Sequence, residues 1–224
     1  MSPEIHRRTV AVVGAAGKIG QITVAHAARA GYSVVAVARS PQRIPAIIAS
    51  LPGVRTFAGD IMSIDDMRHA VAGIDAVVCT FGAPLTLDTI RTPPTVCEIG
   101  TRNIIQAMHE RGGTRLICLS AIGVGDSRGR GRWLFRNVIE PVLLRRIFVD
   151  RHRQEELIRG SELAWTIVRP AELTDGPLAP VRVVDASDFA SPEPTIISRA
   201  SVASFLVQQI SDDRALKRSP IITS

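Results

Sequence analysis

Gly14, Gly17 and Gly20 stand three residues apart in TVAVVGAAGKIG, residues 9–20. Glycine at that spacing lets backbone approach a phosphate that a side chain would hold away. Val10, Ala11, Val12 and Val13 precede it as an apolar, mostly β-branched run, which reads as a buried strand. Residues 21–30 follow, with Ile22 and Val24 among small alanines, and read as a helix. Strand, glycine turn and helix start together make a pyrophosphate cradle. The helix start supplies N–H groups without partners and the positive end of its dipole. The spacing is G-x-x-G-x-x-G rather than G-x-G-x-x-G, so an ordinary tight strand-to-helix turn is the other reading of the motif taken alone.

A second group follows the next strand. Residues 33–38 are apolar and end in Arg39 and Ser40, with Arg43 behind. In a dinucleotide-binding sheet this position meets the adenosine ribose. An acid there suits the 2′-hydroxyl of NAD, whereas an arginine suits the 2′-phosphate of NADP. A solvated surface arginine is the alternative, but positive charge at a helix start is unfavourable unless an anion lies beside it. NADP(H) is the expected cofactor, ahead of NAD(H).

Other chemistries lack their residues. Cys79 and Cys118 lie in apolar runs and, with Cys97, read as reduced core residues. No Cys/His cluster has metal-ligand spacing, so no metal is expected. No G-x-S-x-G elbow is present and no paired carboxylates occupy active-site positions, which argues against a hydrolase. His69 and His109 read as surface residues on helices. His152 has the right intrinsic pKa to deliver a proton, but it stands between Arg151 and Arg153 and reads as surface too. Ser120 can hydrogen-bond a substrate carbonyl.

The elements that would position these groups alternate along the chain. Strands are expected at 33–38, 54–57, 76–80, 115–120 and 163–168, after the first at 10–13. Helices are expected at 41–50, at 63–71 with Ser63 as cap and Asp66 three residues on, at 95–111 and at 148–159. This order predicts an α/β, three-layer doubly wound fold, a mostly parallel sheet covered on both faces. Residues 123–132 read as a polar, glycine-rich loop, either a lid or a mobile surface segment. Residues 133–144 are apolar and interrupted by Pro141. Short strands at 181–184 and 195–197, a helix at 200–211 and an edge strand at Ile221 and Ile222 complete a small C-terminal elaboration. With 224 residues and 46% hydrophobic residues, one domain covering 1–224 is expected. No apolar run reaches 18 residues and MSPEIHRR has no signal-peptide core, so a cytoplasmic protein without a membrane partner is expected. The net charge is +6, almost all from arginine, but aromatics are only 4%. No stacking platform for nucleic acid is therefore expected. The expected partner is a small-molecule acceptor, and the expected state a monomer or homodimer.

GAAGKIG, the Arg39 step, Gly59-Asp60, VVCTFGA, ICLSAIGVGD, TIVRPAELTDGP and SRASVASFLV together resemble the atypical short-chain dehydrogenase/reductases. The similarity is to the single-domain NAD(P)H-binding subgroup that includes biliverdin reductase B (a flavin reductase) and the nitrogen-metabolite-repression regulator. It covers nearly the whole chain and implies roles. Gly14, Ala15, Ala16, Gly17, Lys18, Ile19 and Gly20 would hold the pyrophosphate. Asp60 and Ile61 would flank the adenine. Thr80, Phe81, Gly82 and Ala83 would line the far ribose. Ser120 and Ala121 would face the nicotinamide, and Pro170, Ala171 and Leu173 would close over it. Taken singly, Asp60 reads equally as a helix cap and Ser120 as a turn residue.

The chain departs from the wider family at its proton donor. Classical members use Tyr-x-x-x-Lys, but the one tyrosine here is Tyr32 and the only lysines are Lys18 and Lys217. The lysine position corresponds to Arg151, which can hold a ribose hydroxyl or a carboxylate but stays charged and donates protons poorly. Ser120 and Arg151 are thus the catalytic candidates. The expected activity is hydride transfer from NADP(H) to a conjugated acceptor such as a quinone or flavin, where water supplies the proton. A non-catalytic NADP(H)-sensing protein is the alternative.

Overall fold

The apolar, β-branched runs become strands with both faces covered, which is why they are continuous rather than alternating in polarity. The computed structural model describes residues 7–84, 86, 88–89, 92, 94–130, 145–188 and 190–224. The apolar stretch 133–144, the first six residues, part of the proline-rich loop before 95 and the last two residues of the 123–132 loop lie outside the described residues. In order the elements are β1 (Thr9–Val13), α1 (Lys18–Arg29), β2 (Ser33–Ala38), α2 (Ala46–Ala49), β3 (Val54–Ala58), α3 (Ile64–Ala70) and β4 (Ala76–Cys79). There follow α4 (Val96–Arg111), β5 (Arg115–Leu119), α5 (Arg145–Arg159), β6 (Ala164–Pro170), β7 (Glu172–Thr174), β8 (Arg182–Val184), β9 (Ile196–Ser198), α6 (Arg199–Gln208) and β10 (Ile221–Thr223).

The main sheet runs β3-β2-β1-β4-β5-β6-β10-β8. All neighbours in it are parallel except β8 on β10. A small parallel pair, β7 and β9, stands apart. The chain order reverses between β1 and β4, and at such a switch point the loops beyond the strands part to form a crevice. Val10, Val12, Val34 and Ala36 pack one way, against Val24 and Ala27 of α1 and Val202 and Leu206 of α6. Ala11, Val13, Val35 and Val37 pack the other way, against Met67, Ile104, Met108 and Ile158. The three-layer, doubly wound α/β architecture is therefore present. Among the described residues no helix is long and apolar enough to cross a membrane.

Caps explain several boundaries. Ser63 caps α3 by accepting from the Asp66 amide at 3.2 Å. The Asp66 carboxylate does not close a reciprocal box; it accepts from the Asp60 amide at 2.7 Å and ties the end of β3 to α3. Helix α4 ends at Gly112, whose φ of +76° suits glycine. Its start is capped from another helix: the buried Asp150 of α5 accepts from the amides of Cys97 and Glu98, each at 2.9 Å.

Four details differ from the sequence expectation. The helix expected over 41–50 is broken into a 3-10 turn, Pro41–Arg43, and α2, because Pro45 forces Ile44 into an extended conformation. The sixth strand continues through Pro170. Ile221 and Ile222 lie inside the sheet, between β6 and β8, rather than at its edge. The described part of the 123–132 loop is tied into the fold. Ser127 is buried, accepts from Gly123 N and donates to Val124 O. Buried Arg130 donates to the carbonyls of Ala186 and Asp188.

Candidate functional site

The three glycines of the turn have different physical roles. Gly14 has φ +91°, and a Cβ there would lie 2.8 Å from the Phe81 nitrogen, in the loop after β4. Its amide and that of Ala15 both donate to Val37 O, at 3.1 and 3.0 Å. These two residues therefore shape the turn and have no N–H left for a ligand, and the Ala15 side chain is buried in the core. This corrects the expectation that they grip phosphate directly. Gly20 is needed for packing, since a Cβ would run into Gly14 O and lie 2.9 Å from Ala15 Cα. Gly17 alone is open: its φ of −77° and ψ of 161° suit any residue, and a Cβ would meet only Gly14 O, at 3.3 Å.

Helix α1 begins immediately after Gly17. Its first closing bond is Gln21 N to Gly17 O at 2.9 Å, so the amides of Lys18, Ile19 and Gly20 precede the hydrogen-bonded turn. No side chain caps them and no acid stands in the first turn. Ile19 is buried, so only its backbone can serve a ligand. Ala16 is half-buried and its carbonyl accepts from the Gln21 amide group at 2.9 Å. Lys18 pairs with Asp175, 3.3 Å away, which is also held by Arg199 at 2.6 Å.

A cavity of about 620 Å³ opens beside this turn, within the range of ligand sites. Gly14, Ala16 and Gly17 form one side, and Arg39, Ser40, Arg43, Asp60 and Ile61 the outer end. Thr80, Phe81 and Gly82 form the inner end. Arg39 and Arg43 are exposed, and among the described residues neither forms an ion pair with an acid. Asp60 is not the cap of α3, a role held by Ser63; its carboxylate accepts from Met62 N at 3.0 Å. Ile61 packs on Gly100 of α4, and its carbonyl accepts from Asn103 at 2.9 Å. Sequence reasoning assigned no role to Val37, Ala38, Gly59, Met62, Pro84 and Val96, which also line the cavity. Apart from Gly59, which belongs to the Gly59-Asp60 motif, they carry no chemical signature that a single sequence could display.

At the inner end the side chains are tied into the fold. The Thr80 amide and hydroxyl both donate to Val13 O, at 2.8 and 3.1 Å. Arg151 donates from Nη1 to Leu119 O at 2.6 Å and to Gln154 Oε1 at 2.9 Å. Its Nη2 lies against Gly82, where a Cβ would collide with it. That places Arg151 between Gly82 and the end of β5, and neither it nor Ala83 lines the cavity. Ser120 is only 4% exposed, and its hydroxyl donates to Glu155 Oε1 at 2.6 Å. The expectation of a hydroxyl free to donate to a substrate carbonyl is corrected. Pro170 and Ala171 are buried at the end of β6 and the start of the next turn, and Leu173 packs against the core from β7. They do not line the cavity; the longer β6 keeps Pro170 inside the sheet. Ala121 is half-buried and starts the loop held by Ser127.

The network behind Ser120 gave no local signal. Glu155 is fully buried and also accepts from Arg169 Nε at 2.9 Å, Arg169 Nη2 at 2.6 Å and Arg159 Nη2 at 2.9 Å. Burial works against its charge, yet these donors hold its carboxyl below the ordinary value. Asp126, from the loop after β5, closes the cluster on Arg169. An arginine inside an apolar strand was the available hint, because a buried charge requires a partner. The thiols near this end are buried: the neighbouring Cys118 and burial push the Cys79 thiol up, and burial pushes Cys97 up to about 11. His152 is half-buried and lies 3.4 Å from Glu156, whereas His69 and His109 are exposed. A second groove, of about 720 Å³, runs between residues 178–183 and α6. Its charged groups, Asp212 and Arg214, pair with each other.

Comparison with known proteins agrees with this geometry. Residues 14–213 match the family described as NAD(P)H-binding. An uncharacterized chloroplastic protein of Arabidopsis thaliana is 28% identical over 179 residues, 77% of this chain and 62% of its own length. The chain therefore spans under two thirds of that relative. Reductase pytE of Aspergillus terreus is 27% identical over 202 residues, 75% of this chain and 76% of its own. A short-chain dehydrogenase/reductase of Veillonella parvula, solved in complex with NADP, superposes with a TM-score of 0.79 at 19% identity. That alignment covers 97% of this chain and 94% of the other, and at this identity it speaks for the fold.

Proposed function

We propose, from the premise that the chain belongs to the NAD(P)H-binding family, that it is an NADP(H)-dependent oxidoreductase acting on a conjugated acceptor such as a quinone or flavin. The observation that carries this reading is the course of the crevice. It starts at two arginines without acidic partners among the described residues, passes the uncapped start of α1, and ends at Gly82, against which Arg151 lies. Arg39 and Arg43 suit a 2′-phosphate. The amides of Lys18, Ile19 and Gly20 suit a pyrophosphate. Arg151 suits a ribose hydroxyl. When bound, NADPH would supply the hydride.

The chain's own residues bind and orient; they offer no proton donor of the usual kind. Tyr32 precedes β2, so it lies at the opposite end of the sheet from the crevice, and it packs on the core. Arg151 Nη1 is engaged by Leu119 O and Gln154 Oε1, and the Ser120 proton is held by Glu155. An electron-poor conjugated ring fits such a site because water can protonate the reduced product. That the Aspergillus relative is a reductase supports an enzyme. The test is NADPH oxidation, followed by its absorbance, with a panel of quinones, flavins and dyes.

A second reading, an NADP(H)-sensing protein without turnover, is favoured by that same engagement of Ser120. It predicts tight NADPH binding and no oxidation with any member of the panel.

A further inference from the structure

Gln21 stands in the first turn of α1, and a helical side chain leans toward the N-terminus of its helix. It therefore reaches back over the glycine turn. Its Nε2 donates to Ala16 O at 2.9 Å and, over a longer 3.4 Å, to Arg43 O. A carboxamide nitrogen carries two protons, one for each carbonyl. Gln21 is half-buried and does not line the cavity, but both of its partners do. Ala16 belongs to the turn before α1. Arg43 belongs to the arginine-bearing segment after β2, 22 positions along the chain from Gln21.

The same two walls of the crevice are also joined at the end of β2, where Gly14 N and Ala15 N donate to Val37 O at 3.1 and 3.0 Å. Residues 38–42 run between that tie and the one made by Gln21. The turn Pro41–Arg43 is shaped locally, by Arg43 N to Ser40 O at 3.0 Å and Ile44 N to Pro41 O at 2.9 Å. The segment carrying Arg39 and Arg43 is thus tied to the glycine turn at both of its ends, and at the far end the tie comes from Gln21.

The consequence concerns spacing. A ligand with a pyrophosphate and a 2′-phosphate presents the two groups at a separation set by its own ribose. It gains from both walls only when they stand at that separation, and walls fixed beforehand need no ordering on binding. A ligand without the 2′-phosphate depends much less on where Arg43 stands.

We propose that Gln21 is a positioning residue for cofactor choice: by bridging Ala16 O and Arg43 O it fixes Arg43 relative to the glycine turn, and so strengthens the preference for a 2′-phosphorylated dinucleotide. The inference rests on the NADP(H) reading above and adds to it a residue that lies outside the cavity wall. Ala16 is half-buried and Arg43 exposed, so water can take over both carbonyls and the fold survives loss of the bridge.

Gln21→Met keeps the length of the side chain and removes both donors. Calorimetry gives the dissociation constants for NADPH and NADH at one salt concentration, with thermal melts alongside. The preference for NADPH should fall about fivefold, the scale of one or two neutral hydrogen bonds, with NADH affinity held within about twofold and Tm within about 4 °C. Arg43→Ala keeps the carbonyl and deletes the guanidinium. In that background Gln21→Met should lower the preference no further, because the two changes act through one group. A side chain that only supported the glycine turn would weaken both cofactors alike. An equal loss for NADPH and NADH, an unchanged preference, or the full fall recurring in the Arg43→Ala background overturns the proposal. Should Gln21→Met not fold, Gln21→Asn decides by the same ratio, since its amide is one methylene shorter and cannot span both carbonyls. A wild type that binds NADPH and NADH equally, or binds neither, overturns the underlying NADP(H) reading and this proposal with it.

Discussion

Gly17→Val separates the ligand role of the glycine turn from its folding role. Gly17 has an extended backbone conformation, and a Cβ would meet only Gly14 O at 3.3 Å. Its position at the start of α1 makes valine a poor cap, at about 1 kcal/mol. For a domain of this size that lowers Tm by about 2–4 °C. The ligand cost is larger, because the side chain enters the cavity in front of the Lys18 and Ile19 amides. Losing two charge-assisted hydrogen bonds costs about 3–6 kcal/mol, roughly two to four orders of magnitude in Kd. Gly20→Ala is the control with the opposite outcome. Its Cβ would meet backbone, Gly14 O and Ala15 Cα, which cannot move aside cheaply. The cost is at least the upper end of the ~1–3 kcal/mol overpacking range, lowering Tm by about 6 °C or more. Calorimetry with NADPH and thermal melts read both effects. A Gly17→Val protein that binds NADPH like the wild type, or melts as low as Gly20→Ala, refutes the assignment of roles.

Tyr32→Phe is expected to leave any NADPH oxidation within about twofold, since the ring lies at the far end of the sheet; a hundredfold loss in a protein of normal Tm would show that the phenol takes part. Asp150→Ala removes the cap that α5 places on α4 and leaves two amides unpaired. It should cost about 2–4 kcal/mol, read as a fall in the urea midpoint at unchanged slope. Stability should also decline on acidification. The Glu155 carboxyl is held below its ordinary value of 4.5, so the unfolded chain takes up a proton first. The stabilisation is complete above about pH 5 and fades as the pH falls through the folded-state pKa. Urea unfolding between pH 7 and pH 3 measures this, and a flat profile would show that the Arg169 pair contributes nothing.

The parts of the site that were legible in the sequence are local ones. β1, the glycine turn and α1 occupy one continuous stretch, and the strand-to-helix change of period shows at residue 14. Arg39 was legible because its position at the end of β2 follows directly from that unit. The capping of α3 by Ser63 was visible for the same reason. What escaped depends on distant partners. Ala15 belongs to the motif but serves the core, because Val37 in the next strand takes its amide. Ser120 looked free because Glu155 and Arg169 reach it only through the packing of α5 on the sheet. β10 looked like an edge strand because nothing in the three residues 221–223 records that β8 returns antiparallel beside it. The break at Pro45 was written in the sequence and was outweighed by the apolar residues around it.

On the reading proposed above, the crevice takes NADP(H) by its 2′-phosphate. The guanidinium of Arg39 can grip that group through two parallel charge-assisted bonds, worth about 1.5–3 kcal/mol. The decisive measurement is the pair of dissociation constants for NADPH and NADH, in wild type and Arg39→Asp, at one salt concentration. The wild type should prefer NADPH by roughly 10- to 150-fold, and the variant should lose or invert that preference. Equal wild-type affinities, or a variant that still prefers NADPH, would contradict it.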